Sequence, residues 1–254
     1  MIDYLDREMM RNALIRMQIF HKEMNDLHKK FEISFLENLG RRNNIMSQSQ
    51  ENFIAHEIAK SFEGVVCDGR TGKADIRIES LDAELECKLT TRNRSGQISL
   101  QTDYETLKSK GSLDYIYVIA SDDFNSFAAL HFKGLTCDDF RVPSLGARGK
   151  SQMIKSKAML KCKALMGEVI NNNEIELDKL SARYSQTLKE SDVRLGEIGN
   201  RLKESARKKE SAMLQRMMTQ ESQRFDKKIK NILKKIDYWK ISTTRFSIDL
   251  EKIS

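Results

Sequence analysis

The sequence lacks any apolar run that approaches the roughly 20 residues needed to cross a bilayer. Its first residues also lack the basic-then-apolar order of a secretion signal. These two absences predict a cytoplasmic protein without a membrane partner.

Cysteine is scarce as well, with four residues in a chain of 254. Successive cysteines stand 20, 50 and 25 positions apart, which fits neither a zinc motif nor a small disulfide scaffold. We therefore expect buried free thiols at Cys67, Cys87, Cys137 and Cys162.

Proline occurs once, at Pro143, and none interrupts the charged stretch over residues 174–240. Apolar residues there follow an imperfect heptad, which Gly196 and Gly199 weaken in its middle. The pattern predicts one long coiled-coil-like helix or a folded-back pair of helices, preceded by a helix over 152–166. A strand-like piece over 241–250 is expected to join a sheet edge.

The net charge of +7 is unevenly distributed. Residues 1–148 hold 20 basic and 23 acidic side chains, whereas residues 149–254 hold 24 basic and 14 acidic ones. Because counterion release drives association with nucleic acid, the basic C-terminal part predicts a phosphate-rich partner. The alternative is a long polar helix whose charge serves only solubility.

Apolar residues recur at spacings of three and four over residues 1–39, and Gly40 provides a stop. This pattern predicts one long amphipathic helix or two short ones. We divide the chain into an N-terminal helical segment (1–45), a core (46–150) and a basic helical region (151–254).

Two segments in the core alternate like the strands of a hairpin, residues 74–78 and 83–89. Glu84, Glu86 and Lys88 share one face of the second strand, because side chains alternate with a period of two. Asp75 lies near the start of the first strand, so pairing brings Asp75, Glu86 and Lys88 to one sheet edge. Two carboxylates beside a lysine suit Mg²⁺, which stabilises charge on a phosphodiester and acidifies its bound water.

Asp75, ten intervening residues and then Glu86-Cys87-Lys88 resemble the PD-(D/E)xK nuclease superfamily, home of many restriction endonucleases. The resemblance covers roughly residues 51–135 and departs from the family pattern at Ala74, where a proline is usual. It implies a mixed α/β fold with an αβββαβ core and Mg²⁺-dependent cleavage of double-stranded DNA. It also implies Asp75 and Glu86 as metal ligands and Lys88 as the catalytic lysine. The alternative is an ordinary solvated strand face.

The segments around the hairpin agree with that order of elements. Residues 51–63 predict an amphipathic helix before it, and Glu57 is the candidate for the acid that such a helix often supplies. An ordinary exposed glutamate is the alternative for Glu57. A helical segment over 102–108, a buried strand over 113–120 and a further strand over 127–135 follow.

Three polar segments are candidate DNA-contacting loops, because their side chains suit phosphates and base edges. Residues 41–50 join two predicted helices, and Met46 there is a candidate wedge between bases. Residues 90–101 leave directly from Lys88, and residues 136–151 end in a glycine-containing turn. The candidates are Arg41, Arg42, Asn43, Asn44, Met46, Ser47, Arg92, Arg94, Gln101, Arg141, Ser144, Arg148 and Lys150. For 41–50 the alternative is a capping linker with buried apolar anchors.

The segment Gly146-Ala-Arg-Gly-Lys-Ser151 resembles a phosphate-binding P-loop, but Ser144 stands where its first glycine belongs. Pro143 also interrupts the expected strand, so no nucleotide cofactor is predicted. A loop opening a helix at Gln152 would still present amides to DNA phosphate.

Three functions remain open at this point. The first is a site-specific type II restriction endonuclease of a prokaryote, acting as a homodimer because two strands need two active sites. The second is a repair, recombination or nicking nuclease of the same superfamily. The third is a non-catalytic DNA-binding or coiled-coil protein.

Overall fold

The computed structural model describes residues 3–35, 37–70, 72–92, 97–144, 149–205 and 207–253. The chain forms two compact units, one of Met1–Ile170 with Ser247–Ser254 and one of Asn171–Phe246. The boundary expected between residues 150 and 151 falls inside a β-strand, and the helical unit begins about 20 residues later. Over the described ranges, no helix is long and apolar enough to cross a membrane.

Two helices open the first unit, α1 (Arg7–Lys30) and α2 (Leu39–Ala59). The Asp6 side chain caps α1, and Glu32, with φ of 55°, lies just beyond its end. Gly40 is therefore not the stop that its position suggested, because it lies in the first turn of α2. The predicted loop over 41–50 is wrong for the same reason: it is the N-terminal half of α2, capped by Asn38.

The predicted strands and helix of the core follow in the predicted order, together with two short strands that were not predicted. They are β1 (Val65–Cys67), β2 (Ile76–Ile78), β3 (Ala83–Thr91), β4 (Gln101–Asp103), α3 (Tyr104–Lys110), β5 (Leu113–Ala120) and β6 (Ser126–Leu135). The two short strands that were not predicted are β1 and β4. The hairpin prediction is confirmed, since β2 and β3 pair antiparallel with Ile76 opposite Leu85.

The helix predicted over 152–166 is wrong. This part of the chain contains β7 (Lys150–Gln152), the short helix α4 (Lys155–Ala158), β8 (Cys162–Met166) and β9 (Glu168–Asn171). β7 pairs with β4, and β8 pairs with β6. These long-range pairings override a local pattern that also fits a helix.

The main sheet has the order β1-β2-β3-β5-β6. β5 runs parallel to β3 because α3 provides the crossover between them, whereas the other neighbouring pairs in this order are antiparallel. The far edge of β6 is shared by β8 and by β11 (Glu251–Lys252), and β10 (Phe246–Asp249) pairs with β9. The strand expected over 241–250 is formed only near its end, as β10, which belongs to a separate two-stranded sheet, and the residues that join the edge of the main sheet are those of β11.

One face of the sheet is covered by α1 and α2. Their buried side chains form a single cluster with the inward residues of β2, β3 and β5, including Met17, Met46, Ile54, Ile76 and Leu85. All four cysteines are free, as predicted, but only Cys87 is buried and Cys67 is exposed.

The second unit contains α5 (Asn172–Glu204) and α6 (Lys208–Ile241), so the folded-back pair is the correct alternative. Asn173 at the start of α5 bonds Trp239 and Ser242 at the end of α6, which makes the helices antiparallel. The two helices bury side chains at intervals of seven and eleven residues, in that order along α5 and in the opposite order along α6. These side chains are Leu180, Thr187 and Ile198, and Leu214, Phe225 and Ile232.

Candidate functional site

Asp75, Glu86 and Lys88 converge where β2 and β3 meet. The register of the hairpin places Asp75 across from Glu86, one step beyond the pair Ile76 and Leu85. Lys88 Nζ lies 2.5 Å from Glu86 Oε1 and 3.9 Å from Asp75 Oδ2. The three side chains form one contiguous charged group, as the alternation of the sequence predicts.

Backbone contacts hold this group in place. The amide of Cys87 donates to Asp75 Oδ2 at 2.7 Å, which fixes the Asp75 carboxylate against β3. On the other side, the fully buried Gln50 of α2 donates through Nε2 to the carbonyl oxygen of Lys88 at 3.3 Å. The edge of β3 is therefore tied both to β2 and to α2.

The electrostatics of the group follow from its burial. Burial raises the pKa of Glu86, although the charge of Lys88 opposes that effect. Burial alone would lower the pKa of Lys88, but the charges of Glu86 and Asp75 outweigh it and raise that pKa. Lys88 is therefore a charged ammonium group throughout the neutral pH range, suited to donating hydrogen bonds and balancing negative charge.

Glu51 is a further acid that the sequence analysis did not select. Burial and the charge of Asp75 raise the pKa of Glu51 to about 7. The charge of Glu86 also raises this pKa, whereas the charge of Lys88 lowers it. Glu51 stands in α2 eight residues after Asn43 and four after Ser47, so these three side chains share one helix face. That periodicity of polar residues was readable once residues 41–50 are taken as helix.

Glu57 does not join this group, and the structure corrects that choice. It is 3% exposed, and both carboxylate oxygens accept hydrogen bonds from Lys60, at 2.7 and 2.6 Å. Arg16 of α1 approaches it at 4.0 Å. Because six residues correspond to about 240° around an α-helix, Glu57 and Glu51 lie on different faces of α2.

A cleft of about 400 Å³ opens beside Lys88. It is bounded by α2, by β3 and by the small ribbon that β4 forms with β7. Predicted DNA-contacting residues line it from α2 and from both strands of the ribbon. The lining includes Asn43, Asn44, Ser47, Glu51, Lys88, Gln101, Asp103 and Lys150.

Two of the predicted DNA contacts are wrong. Arg42 is 1% exposed, with Nη1 donating to the carbonyl oxygen of Asp122 and its guanidinium 4.9 Å from the Phe124 ring. Met46 is fully buried in the main core and cannot act as a wedge between bases. Both follow from the helical periodicity of α2, whose positions 42, 46 and 50 point inward.

The remaining candidates lie at the surface. Arg41, Arg141 and Ser144 are exposed. Arg92 is exposed too, and it donates through Nη2 to the carbonyl oxygen of Ile248 at 2.7 Å, so it ties β3 to the C-terminal segment. Arg94 and Arg148 lie outside the described residues. The helix expected to open at Gln152 is instead strand β7.

Mg²⁺ fits the residues present. No group of three or more His, Cys, Asp or Glu side chains stands ready as a metal cage in the described part of the chain. Magnesium, however, takes one or two carboxylates and keeps most of its water. Asp75 and Glu86 supply those two, and Glu86 Oε2 is buried with no hydrogen-bond partner. A bound cation would supply the partner that this buried oxygen lacks.

Comparison with known proteins identifies no relative of this chain: no protein-family description, no curated protein and no solved structure matches it.

Proposed function

We propose that this protein is a Mg²⁺-dependent deoxyribonuclease that cleaves double-stranded DNA at specific sites, in the manner of a type II restriction endonuclease. The observation that carries the proposal is the convergence of Asp75, Glu86 and Lys88 where β2 begins beside β3, next to a cleft lined by polar side chains. The order of α2, β1–β3, α3 and β5 also agrees with the αβββαβ core that the resemblance implies.

Asp75 and Glu86 would hold the metal, and Glu51 of α2 lines the cleft beside Lys88. When bound, Mg²⁺ supplies positive charge for the scissile phosphate and an acidified water molecule. Lys88, held as an ammonium group by its two carboxylate neighbours, donates hydrogen bonds to the attacking oxygen or the phosphate. The amides and hydroxyl of Asn43, Asn44 and Ser47 suit the sugar–phosphate backbone along the cleft.

Lys88 would serve this chemistry by donating hydrogen bonds to the attacking oxygen or by balancing the charge of the attacking hydroxide. Cutting both strands requires two such sites, and we therefore propose a homodimer as the active species.

The test is to incubate the purified protein with plasmid and genomic DNA in Mg²⁺ and to analyse the fragments. Discrete bands are expected, and Lys88→Ala and Asp75→Asn should lower the cleavage rate at least a hundredfold. Glu84→Gln is the matched control, because it removes a carboxylate of the same strand that is paired with Lys110 at 2.7 Å. It should cleave like the native protein.

Other results of this experiment would support one of the two alternative functions. A smear or nicked circles would indicate a repair or nicking nuclease of the same superfamily. Cleavage that is absent, or unaffected by Lys88→Ala, would contradict the proposal and leave a DNA-binding protein without catalysis.

A further inference from the structure

The net positive charge of the protein lies in its helical unit. Residues 171–246 hold 18 basic and 11 acidic side chains, a net charge of +7, which equals that of the whole chain. The remainder, which contains the candidate catalytic site, holds 26 of each and is neutral. Long-range attraction to a polyanion therefore has to come from the α5–α6 unit.

Within that unit the charge is carried by one helix. α6 has ten basic and four acidic side chains, whereas α5 has six basic and seven acidic ones. On α5, Lys179 and Arg194 are paired with acids one turn away, at 2.8 and 3.1 Å. Cations on α5 are thus partly neutralised locally, and those on α6 mostly are not.

The two helices form a groove of about 640 Å³ with a cationic rim. Its floor contains Leu180 and Ile232, which belong to the buried seam of the hairpin. Four basic side chains line the groove, from both helices: Arg183, Lys228, Lys234 and Lys235.

These four cations are exposed and, among the residues described, form no ion pair with a carboxylate. One acid, Glu190, lines the groove, and its carboxylate accepts a hydrogen bond from Gln186 at 3.0 Å. Gln186 and Asn231 add amide donors between the cations. The groove is thus a row of donors with an excess of three positive charges.

We propose that this groove, with Lys228, Lys234 and Lys235 of α6, binds the phosphate backbone of double-stranded DNA. The separation of the cations along the helix favours an extended anion: Lys228 and Lys235 are seven residues apart, which is about 10 Å along α6. Exposed ammonium groups without carboxylate partners are free to replace condensed counterions, the source of sequence-independent affinity. The choice of DNA rests on the proposed function, but binding itself requires no catalysis.

The unit would therefore supply affinity without sequence information, since phosphate contacts position a protein on DNA and do not read bases. A neutral catalytic unit would then depend on the helical unit for capture of its substrate.

The experiment measures binding of the full-length protein to a fluorescent DNA duplex in EDTA, over a range of salt concentrations. The triple variant K228Q/K234Q/K235Q should bind at least tenfold more weakly at 100 mM salt. Its slope of log affinity against log salt should be smaller by about two to three, or nearly one for each lost phosphate contact. All three side chains are exposed, so circular dichroism and the melting temperature should stay unchanged.

The matched control is K203Q/K208Q/K209Q, which removes the same charge from exposed positions at the other end of the same two helices. It should lower affinity less than threefold. Equal effects of the two triple variants, or no effect of the first, would overturn the groove as a binding surface. Loss of self-association in sedimentation, without loss of DNA binding, would overturn it too and would assign the groove to a second copy.

Failure here is distinguishable from failure of the proposed function. A protein that cleaves DNA but binds it independently of these lysines retains the nuclease proposal and loses this one. A protein that binds DNA through the groove without cleaving it in Mg²⁺ retains the groove proposal and loses the nuclease proposal.

Discussion

At the scale of single residues, burial decides which charges the cleft can hold. Asp75 and Glu86 lie beside Lys88, and Glu51 lines the cleft at Lys88 with a pKa that responds to the charges of all three. Burial first, and the negative charge of Asp75 second, raise the pKa of Glu51 to about 7 and so favour its protonated form. A bound cation would instead favour the charged carboxylate, so stability and activity should respond in opposite directions when Glu51 is changed.

The first prediction concerns Glu51→Gln. Because the folded pKa of about 7 lies above the ordinary 4.5, the stability that Glu51 contributes is present below pH 4.5 and is lost as the pH rises through 7. In EDTA at pH 8, the amide should raise the free energy of unfolding by about 1 to 2 kcal/mol, after allowance for partial solvent screening. This gain should shrink as the pH falls to 5, as measured by urea denaturation.

In Mg²⁺ the same variant should cleave DNA at least tenfold more slowly than the native protein. Glu57→Gln is its control, since Glu57 pairs with Lys60 away from the cleft. It should lose stability at pH 8 and keep its cleavage rate. A Glu51→Gln protein that is less stable than the native one at pH 8 would refute this account of the site.

A second prediction concerns His131, which is 1% exposed and has no hydrogen-bond partner at either ring nitrogen. Burial lowers its pKa from 6.5 to about 4, so its contribution to stability is present above pH 6.5 and is lost as the pH falls toward 4. Between pH 7 and pH 5 the protein should lose about 2 kcal/mol through this residue.

His131→Phe removes this titration and keeps an aromatic ring next to Tyr4, whose ring centroid lies 5.5 Å from that of His131. The unfolding free energy of the variant should therefore fall less between pH 7 and pH 5, when measured by chemical denaturation at several pH values. His21, also buried with a pKa lowered to about 4, is present in both proteins and cancels in the comparison. Parallel pH curves for the two proteins would contradict the assignment.

At the scale of elements, the turn between β8 and β9 is the least tolerant point of the sheet edge. Gly167 has φ of 71°, and a Cβ there would stand 2.4 Å from the carbonyl oxygen of Asp249 and 2.8 Å from Ala128. Its amide also donates to Glu251 at 3.1 Å, which ties the turn to β11.

The third prediction is that Gly167→Ala destabilises the protein by more than 2 kcal/mol, because strain from φ is joined by a clash with backbone. Gly111→Ala is the matched control: its φ of 77° is similar, but nothing lies within 4 Å of the added methyl group. It should cost about 1 kcal/mol. Thermal unfolding of both variants measures the difference, and equal costs would show that the close approach to Asp249 does not matter.

Which elements could be predicted depends on how much of their pattern is local. β5 was predictable to the residue because it is an apolar run buried on both faces of the sheet. β8 was not, because its strand state comes from pairing with β6 more than 30 residues earlier. The N-terminal half of α2 was missed because Arg42, Met46 and Gln50 hide an inward stripe among polar residues.

The candidate site divides in the same way. Asp75, Glu86 and Lys88 were readable because a hairpin with a short turn fixes its own register. Glu51 and Glu57 were not distinguishable, since the choice depends on how α2 is rotated against β3. The hydrogen bond from Gln50 to the carbonyl oxygen of Lys88 holds α2 in that rotation, and no local sequence pattern predicts this hydrogen bond.

At the scale of the whole molecule, the two units differ in net charge. The unit that holds Asp75, Glu86 and Lys88 is electrically neutral, and the helical unit carries the net +7. Under the proposed function each copy of the chain brings one set of Asp75, Glu86 and Lys88 to the DNA, so the number of copies should decide the form of the product.

The last prediction tests that number. If a homodimer cuts both strands, mixing native protein with an excess of Lys88→Ala protein should give mixed dimers that have one intact site. Each mixed dimer can hydrolyse only one strand, so supercoiled plasmid should accumulate as nicked circles before linear DNA appears.

Agarose gels over a series of mixing ratios measure this, at constant total protein and after time for subunit exchange. Native protein diluted instead with Lys88→Ala/K228Q/K234Q/K235Q protein should give the same nicked product, provided that the helical unit serves DNA capture and not dimer assembly. Linear product that falls only in proportion to the native protein, without nicked circles, would indicate a monomer that cuts both strands with a single site.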